Sequence, residues 1–148
     1  MEIVTRAPAN EKEWTAYYDL RFRVLRGPWG QPRGSERNDG DLKAIHFASY
    51  IGNELRAIAR ADVLSPAQIQ VRFVATEKKQ QGKGYGKIVM KAIENHYQGT
   101  LVKEIILHSR AISVPFYNSI GYSTRNKSYL LFDEIQHFLM TKSINNES

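Results

Sequence analysis

The most chemically pointed feature of this chain is a run of closely spaced glycines, Gln81-Gly82-Lys83-Gly84-Tyr85-Gly86. Glycine lacks the Cβ that keeps a backbone at a distance, so N–H groups in such a run can come close to a pyrophosphate. A helix that follows adds the positive end of its dipole. Lys83, with Lys78, Lys79 and Lys87 near it, offers cations for the remaining phosphate charge. Spacing excludes two phosphate loops. A P-loop needs four residues between its glycines and then Lys-Ser/Thr, whereas here Gly82 and Gly86 enclose three and Lys87 is followed by Ile88. A dinucleotide fingerprint needs a further glycine three positions on, and that position is Val89. By itself the hexapeptide is equally a tight strand-to-helix turn. Groups able to exchange a proton as general acid or base include His108, His137 and Glu134, and tyrosines, with an ordinary pKa near 10, stay protonated at neutral pH.

These groups must be positioned by regular elements. Glu2 to Arg6 is a short strand, and Glu11 to Leu25 carries Trp14, Tyr17, Tyr18, Phe22 and Leu25 at helical spacing behind Asn10 as N-cap. Six glycines and prolines between Arg26 and Asp41 (Gly27, Pro28, Gly30, Pro32, Gly34 and Gly40) predict a long irregular loop. Ile45–Ile51 and Leu55–Val63 flank Gly52-Asn53, a pair suited to a hairpin turn, and Ile69 to Ala75 alternates as a third strand. The glycine loop and a helix bearing Tyr85, Ile88, Val89, Ala92 and Ile93 follow, then a strand over Glu104–His108, which makes a parallel strand–helix–strand unit. Pro115 near the start and Gly121 past the end punctuate a short helix over Ser113–Ile120. Strands near Tyr122–Phe132 and Gln136–Lys142 close the chain. The expectation is an α+β fold, with a mixed, mostly antiparallel central sheet flanked by helices, as one domain over residues 1–148.

The glycine loop after Phe73-Val74-Ala75-Thr76 resembles the acyl-CoA-binding motif Gln/Arg-x-x-Gly-x-Gly/Ala of the GNAT N-acetyltransferases. His108 to Tyr122, with Phe116-Tyr117 and Gly121-Tyr122, resembles the last acetyltransferase motif of that family, one helix and one strand further on. Leu20–Arg26, the loop over Pro28–Glu36 and Phe132–Phe138 look like one branch of it whose substrate is uncharacterised. In the closing segment Glu134 and Gln136 stand where that branch usually has Gly and Pro.

The resemblance implies the GNAT acyl-CoA N-acyltransferase fold and transfer of an acetyl group from acetyl-CoA, as cosubstrate, to a primary amine by direct attack in a ternary complex. It implies that Tyr117 donates a proton to the departing CoA thiolate. It also implies that a bulge at Val74, Ala75 and Thr76 frees backbone amides for pantetheine or the acetyl carbonyl, and that Gln81, Gly82, Lys83, Gly84, Tyr85 and Gly86 bind the pyrophosphate. For an amine acceptor that must lose a proton, the base is open among His108, His137, Glu134 and an ordered-water chain; His108 is the candidate at the strand end, and His137 a candidate on the acceptor side. Arg21, Arg23, Arg26, Arg33 and Arg37 read most simply as a solvated basic face. Arg26 and Arg33 become acceptor-binding residues if the acceptor carries carboxylates.

The chain has 148 residues, 42% hydrophobic and 24% charged, with 21 Lys and Arg against 15 Asp and Glu for a net charge of +6. That size supports a core without staples, and the charge favours anionic partners. The absence of cysteine excludes a disulfide framework, a thiolate nucleophile and cysteine-held metals; no metal is expected. No stretch approaches the roughly 18 apolar residues of a membrane span, and the first residues lack the apolar core of a signal peptide. The expectation is a cytoplasmic protein without a membrane partner, with a homodimer as a candidate assembly. The alternatives to an enzyme are a non-catalytic acyl-CoA sensor and a basic nucleic-acid-binding module. Nucleic acid is disfavoured because the aromatics follow core-like periodicities instead of forming a stacking platform.

Overall fold

Asn10 starts the first helix. In a computed structural model that describes residues 2–146, its side-chain oxygen accepts from the amide of Glu13 at 2.9 Å and caps α1 (Glu11–Leu25). Glu13 in turn accepts from both terminal nitrogens of Arg6, at 2.7 and 2.9 Å, and from the amide of Ala9 at 2.8 Å. The Arg6 guanidinium, and after it the Ala9 amide, hold the Glu13 carboxyl down at about 2. The buried stripe of α1 is Tyr17, Leu20 and Arg21. Spacing of apolar residues alone places Phe22 and Leu25 there and leaves Arg21 in solvent; the burial of Arg21 corrects that, and its partners below explain it.

Seven strands form one sheet: β1 (Ile3–Arg6), β2 (Ile45–Ile51), β3 (Glu54–Ser65), β4 (Gln68–Thr76), β5 (Glu104–Arg110), β6 (Ser123–Leu131) and β7 (Ile135–Ser143). Their order is β1-β2-β3-β4-β5-β7-β6. β1–β2, β2–β3, β5–β7 and β6–β7 pair antiparallel, while β4 and β5 pair parallel from Gln68↔Glu104 to Val71↔Leu107. The sheet is therefore mixed and mostly antiparallel, and the strand–helix–strand unit around α2 (Tyr85–Tyr97) is the parallel step. The chain divides into two compact units, Met1–Asp62 with Phe73–His96, and Val63–Arg72 with Tyr97–Ser148.

In the first unit, Tyr17 and Leu20 of α1 join Ala48 and Tyr50 of β2, Ile58 of β3 and Ala75 of β4 in a buried cluster. Gly52, at φ 59°, turns the β2–β3 hairpin as its pairing with Asn53 predicts. The loop over residues 26–44 contains only two short 3-10 turns, Gly27–Trp29 and Asp39–Leu42. Buried charge fixes it. Arg21 is fully buried and donates to the Glu36 carbonyl at 3.1 Å and to the Asp41 carboxylate at 2.8 Å. Arg60 of β3 is 1% exposed; it donates to the same Asp41 oxygen at 3.2 Å, to the Asn38 side chain at 2.7 Å, and through two nitrogens to Asp62 at 2.7 Å each. A Cβ on Gly40 would collide with the Arg60 guanidinium, which explains a glycine in that turn.

In the second unit, β5 runs into a 3-10 turn (Ala111–Ser113) and α3 (Val114–Ser119), with Pro115 in the first turn of the helix. β6 is exposed along nearly its whole length at the edge of the sheet. Its hairpin to β7 turns through Phe132 and Asp133, at φ 53° and 57°, and the Glu134 amide returns to the Leu131 carbonyl at 3.1 Å. Two successive left-handed residues match the twist of the flanking strands, so the turn closes without glycine.

Removing Asp41 leaves the buried Arg21 guanidinium without a carboxylate and Arg60 with that of Asp62 alone, so Asp41→Ala should cost about 3–5 kcal/mol in denaturant unfolding. Burial by itself would raise the Asp41 pKa, but the Asn38 amide and the Arg21 guanidinium outweigh it and hold the group below its ordinary 3.8. A carboxyl depressed on folding stabilises the protein above its unfolded pKa, and that contribution is lost as pH falls through the folded value. The gap between wild type and Asp41→Ala should therefore close on acidification, and a gap independent of pH would contradict the charge account.

Candidate functional site

The glycine loop lies in the first unit. After a 3-10 turn (Lys78–Gln80), Gly82 and Gly84 adopt φ 81° and 88°, and a Cβ built on either meets nothing within 4 Å. Here glycine provides both the left-handed backbone and an open cradle above it. The Gly84 carbonyl accepts from the Ile88 amide at 3.1 Å, which makes Gly84 the N-cap of α2. The amides of Tyr85, Gly86 and Lys87 are then first-turn donors without an intrahelical acceptor. Gln81 donates to the Thr76 carbonyl at 3.4 Å, and Lys83 to the Gln80 side chain at 3.1 Å. The arrangement is a set of N–H donors at a helix N-terminus beside an exposed lysine, which suits an anion.

Upstream of this loop, β4 is not regular. Phe73 has φ 55°, a conformation that costs a non-glycine residue in a strand of the order of 1–3 kcal/mol. Three guanidinium carbons lie over its ring, those of Arg21 at 4.3 Å, Arg60 at 5.1 Å and Arg26 at 5.4 Å. The irregularity directly precedes Val74, Ala75 and Thr76 and lies beyond the last β4–β5 ladder pair at Val71.

In the second unit, Tyr117 is held by the way α3 ends. The Tyr122 amide returns to the Tyr117 carbonyl at 3.0 Å and the Gly121 amide to the Asn118 carbonyl at 3.2 Å, with Gly121 at φ 100°. This is a Schellman ending, and its usual apolar contact is the edge-on packing of the Tyr117 and Tyr122 rings at 5.9 Å. The Tyr117 ring is buried, while its hydroxyl makes no hydrogen bond to any described residue. Burial raises its pKa, so the phenol stays protonated at neutral pH.

His108 of β5 shares the second unit with His137 of β7. The Tyr129 ring lies 5.2 Å from His108 and stacks on His137 at 4.6 Å. His137 is buried and donates from Nδ1 to the Ile135 carbonyl at 3.0 Å, since a carbonyl can only accept. The Nδ1 atom of His108 is buried without a hydrogen-bond partner among the described residues. Burial, then the charges of His137 and Arg72, lower its pKa. The result is a neutral imidazole with an uncommitted ring nitrogen.

The arginine cluster divides. Arg23 pairs with Glu77 through two nitrogens at 2.6 and 3.0 Å and with Asp19 at 2.7 Å. Arg33 is exposed, pairs with Asp19 at 2.8 Å and lies over the Phe22 ring. Half-buried Arg26 donates to the carbonyls of Ser35 and Leu25. A solvated face therefore does not describe Arg21 or Arg26. Sequence reading also missed the buried network around His46, whose Nε2 donates to the Asp41 carbonyl at 2.8 Å while Nδ1 faces the Tyr17 hydroxyl at 2.8 Å. Burial lowers its pKa. The one available signal was the Tyr17–Arg21 spacing of four on α1.

Among the described residues no group of three His, Cys, Asp or Glu side chains could hold a metal, and no helix is long and apolar enough to cross a membrane. The sequence profile of the acetyltransferase (GNAT) domain matches residues 46–144. A Bacillus subtilis (strain 168) protein, which its name marks as an unproven acetyltransferase, is 24% identical over 136 residues, covering 90% of this chain and 91% of that protein. Among solved structures, an acyl-CoA N-acyltransferase from Pseudomonas aeruginosa superposes with a TM-score of 0.77 at 23% identity, over 95% of this chain and 98% of that one. A GNAT acetyltransferase from Elizabethkingia anophelis with acetyl-CoA bound gives 0.77 at 12% identity, over 97% of each chain. With residues 46–144 matched and the fold shared along nearly its whole length, the chain belongs to the GNAT acetyltransferase family.

Proposed function

We propose that this acyltransferase is an N-acetyltransferase that moves the acetyl group of acetyl-CoA to a primary amine in a ternary complex. The observation that carries the reading is the open cradle over Gly82 and Gly84 at the start of α2. Its amides, with Gln81, Lys83, Tyr85 and Gly86, would hold the pyrophosphate. A chain without cysteine has no cysteine thioester intermediate to form, which favours direct attack. His108 accepts a proton from the acceptor ammonium, and His137 serves the acceptor side. The amides of Val74, Ala75 and Thr76 hold the thioester carbonyl oxygen as negative charge develops there. The amine nitrogen forms its bond to the carbonyl carbon as the carbon–sulfur bond breaks, and Tyr117 gives its phenolic proton to the CoA sulfur. The second amine proton restores Tyr117, and the one on His108 leaves to solvent.

Thermal unfolding tests the cradle. Acetyl-CoA at a hundred times its Kd should add roughly 2.7 kcal/mol to the folded state. Gly84→Val puts a branched side chain into the open space and should abolish the ligand-induced rise, whatever its own melting temperature; a rise that survives the substitution argues against this loop.

Tyr117→Phe keeps the ring and removes the proton donor. The single-turnover rate should fall about 10²–10⁴-fold, with acetyl-CoA affinity within a few-fold of wild type, as for an interaction made in the transition state. A folded variant with the wild-type rate would remove Tyr117 as the acid.

For His108 the pH profile is diagnostic. A base whose pKa is lowered from the ordinary 6.5 is unprotonated at neutral pH, so kcat/KM should lose activity only as pH falls below that value. His108→Gln should lower the plateau and remove that acidic limb. Retention of the limb in the variant would assign it to another group.

A further inference from the structure

We propose that an open surface groove of about 580 Å³ in the first unit, separate from the glycine loop, binds a small aromatic monocarboxylate. Its volume falls within the usual range for small-molecule sites, roughly 300–1,000 Å³. The wall is aromatic: Trp14 and Tyr18, one turn apart on α1, stack at 5.7 Å with 23° between their planes. Leu42, 92% exposed, adds an apolar side chain to the lining. The Arg37 guanidinium lies 3.6 Å from the centre of the Tyr18 ring, held by that face and by no carboxylate.

The hydrogen-bonding inventory sets the sign of the ligand. The Trp14 indole N–H, the Tyr18 hydroxyl and the Arg37 guanidinium have no hydrogen-bond partner among the described residues. The polar groups of the other lining residues are already used. One Asp41 oxygen takes Arg21 and Arg60, and the other takes the Asn38 amide at 3.0 Å. Both ring nitrogens of His46 are bonded, to the Asp41 carbonyl and the Tyr17 hydroxyl. Charge follows the same pattern, because Arg21 and Arg60 are balanced by Asp41 and Asp62, leaving Arg37 as the uncompensated charge of the lining. A lone guanidinium offers a planar fork to one carboxylate. The Tyr18 ring is taken by Trp14 and the guanidinium, so Trp14 and Leu42 of the lining are what an aromatic body would pack against.

Calorimetric titration of the whole protein with 3-phenylpropionate tests the assignment. Expected are saturable one-to-one binding, binding weaker by about tenfold or more for the uncharged 3-phenylpropanamide, and a similar loss for 3-phenylpropionate in Arg37→Gln. Hexanoate, with the charge and no ring, should also bind more weakly. Arg37 is exposed and bonded to no side chain by hydrogen bonds, so the variant should keep the wild-type melting temperature. Absence of saturable binding, equal affinity for the amide, equal affinity for hexanoate, or unchanged affinity in Arg37→Gln would each overturn the proposal.

Discussion

Two buried arginines that share one aspartate are the constraint on which the first unit depends. Arg21 comes from α1, Arg60 from β3, and Asp41 from a loop with almost no regular structure of its own. Ion pairs of this kind are a poor source of net stability, since desolvation takes back most of the Coulombic gain. Their effect is positional. They fix the loop over residues 26–44 to both elements, and they place two guanidinium groups over the Phe73 ring. Phe73 holds a left-handed backbone inside a strand, and the packing of its ring by cations offsets part of that strain. An apolar cluster of equal volume could bury as much surface without specifying where the ring, and hence the β4 backbone after it, must lie.

The same contrast explains what was legible in the sequence. α1 was readable at its start because Asn10 caps it locally and at its end because Gly27 and Pro28 follow it. The Gly52 hairpin and the Pro115 and Gly121 punctuation of α3 were readable for the same reason: each is a rule about neighbours along the chain. Arg21 was not, because a periodicity that counts apolar residues assigns a charged one to solvent, and its partner Asp41 lies twenty residues away. The left-handed Phe73 carries no local mark at all. The β6–β7 turn runs the other way: loss of the branch's usual Gly and Pro at Glu134 and Gln136 put its geometry in question, yet Phe132 and Asp133 supply the positive φ values themselves.

Of the candidate site, the glycine loop was legible because glycine is the direct sequence signature of a backbone that must be approached. The Tyr117 motif is legible for a different reason. The spacing from Tyr117 to Gly121-Tyr122 is that of a Schellman ending, in which the amide of Tyr122 closes on the carbonyl of Tyr117 and the two rings pack. That spacing alone describes a well-terminated helix, and any helix with an aromatic at the same place would satisfy it. What separates a reactive tyrosine from a packed one is the fate of its hydroxyl, and that is a property of the surroundings. A buried ring whose hydroxyl the protein leaves without a partner retains its proton for a group that arrives later. The unpartnered Nδ1 of His108 follows the same logic, a ring nitrogen left uncommitted in an imidazole that burial keeps neutral. Sequence spacing therefore locates these groups, and only their unsatisfied atoms mark them as candidates for chemistry.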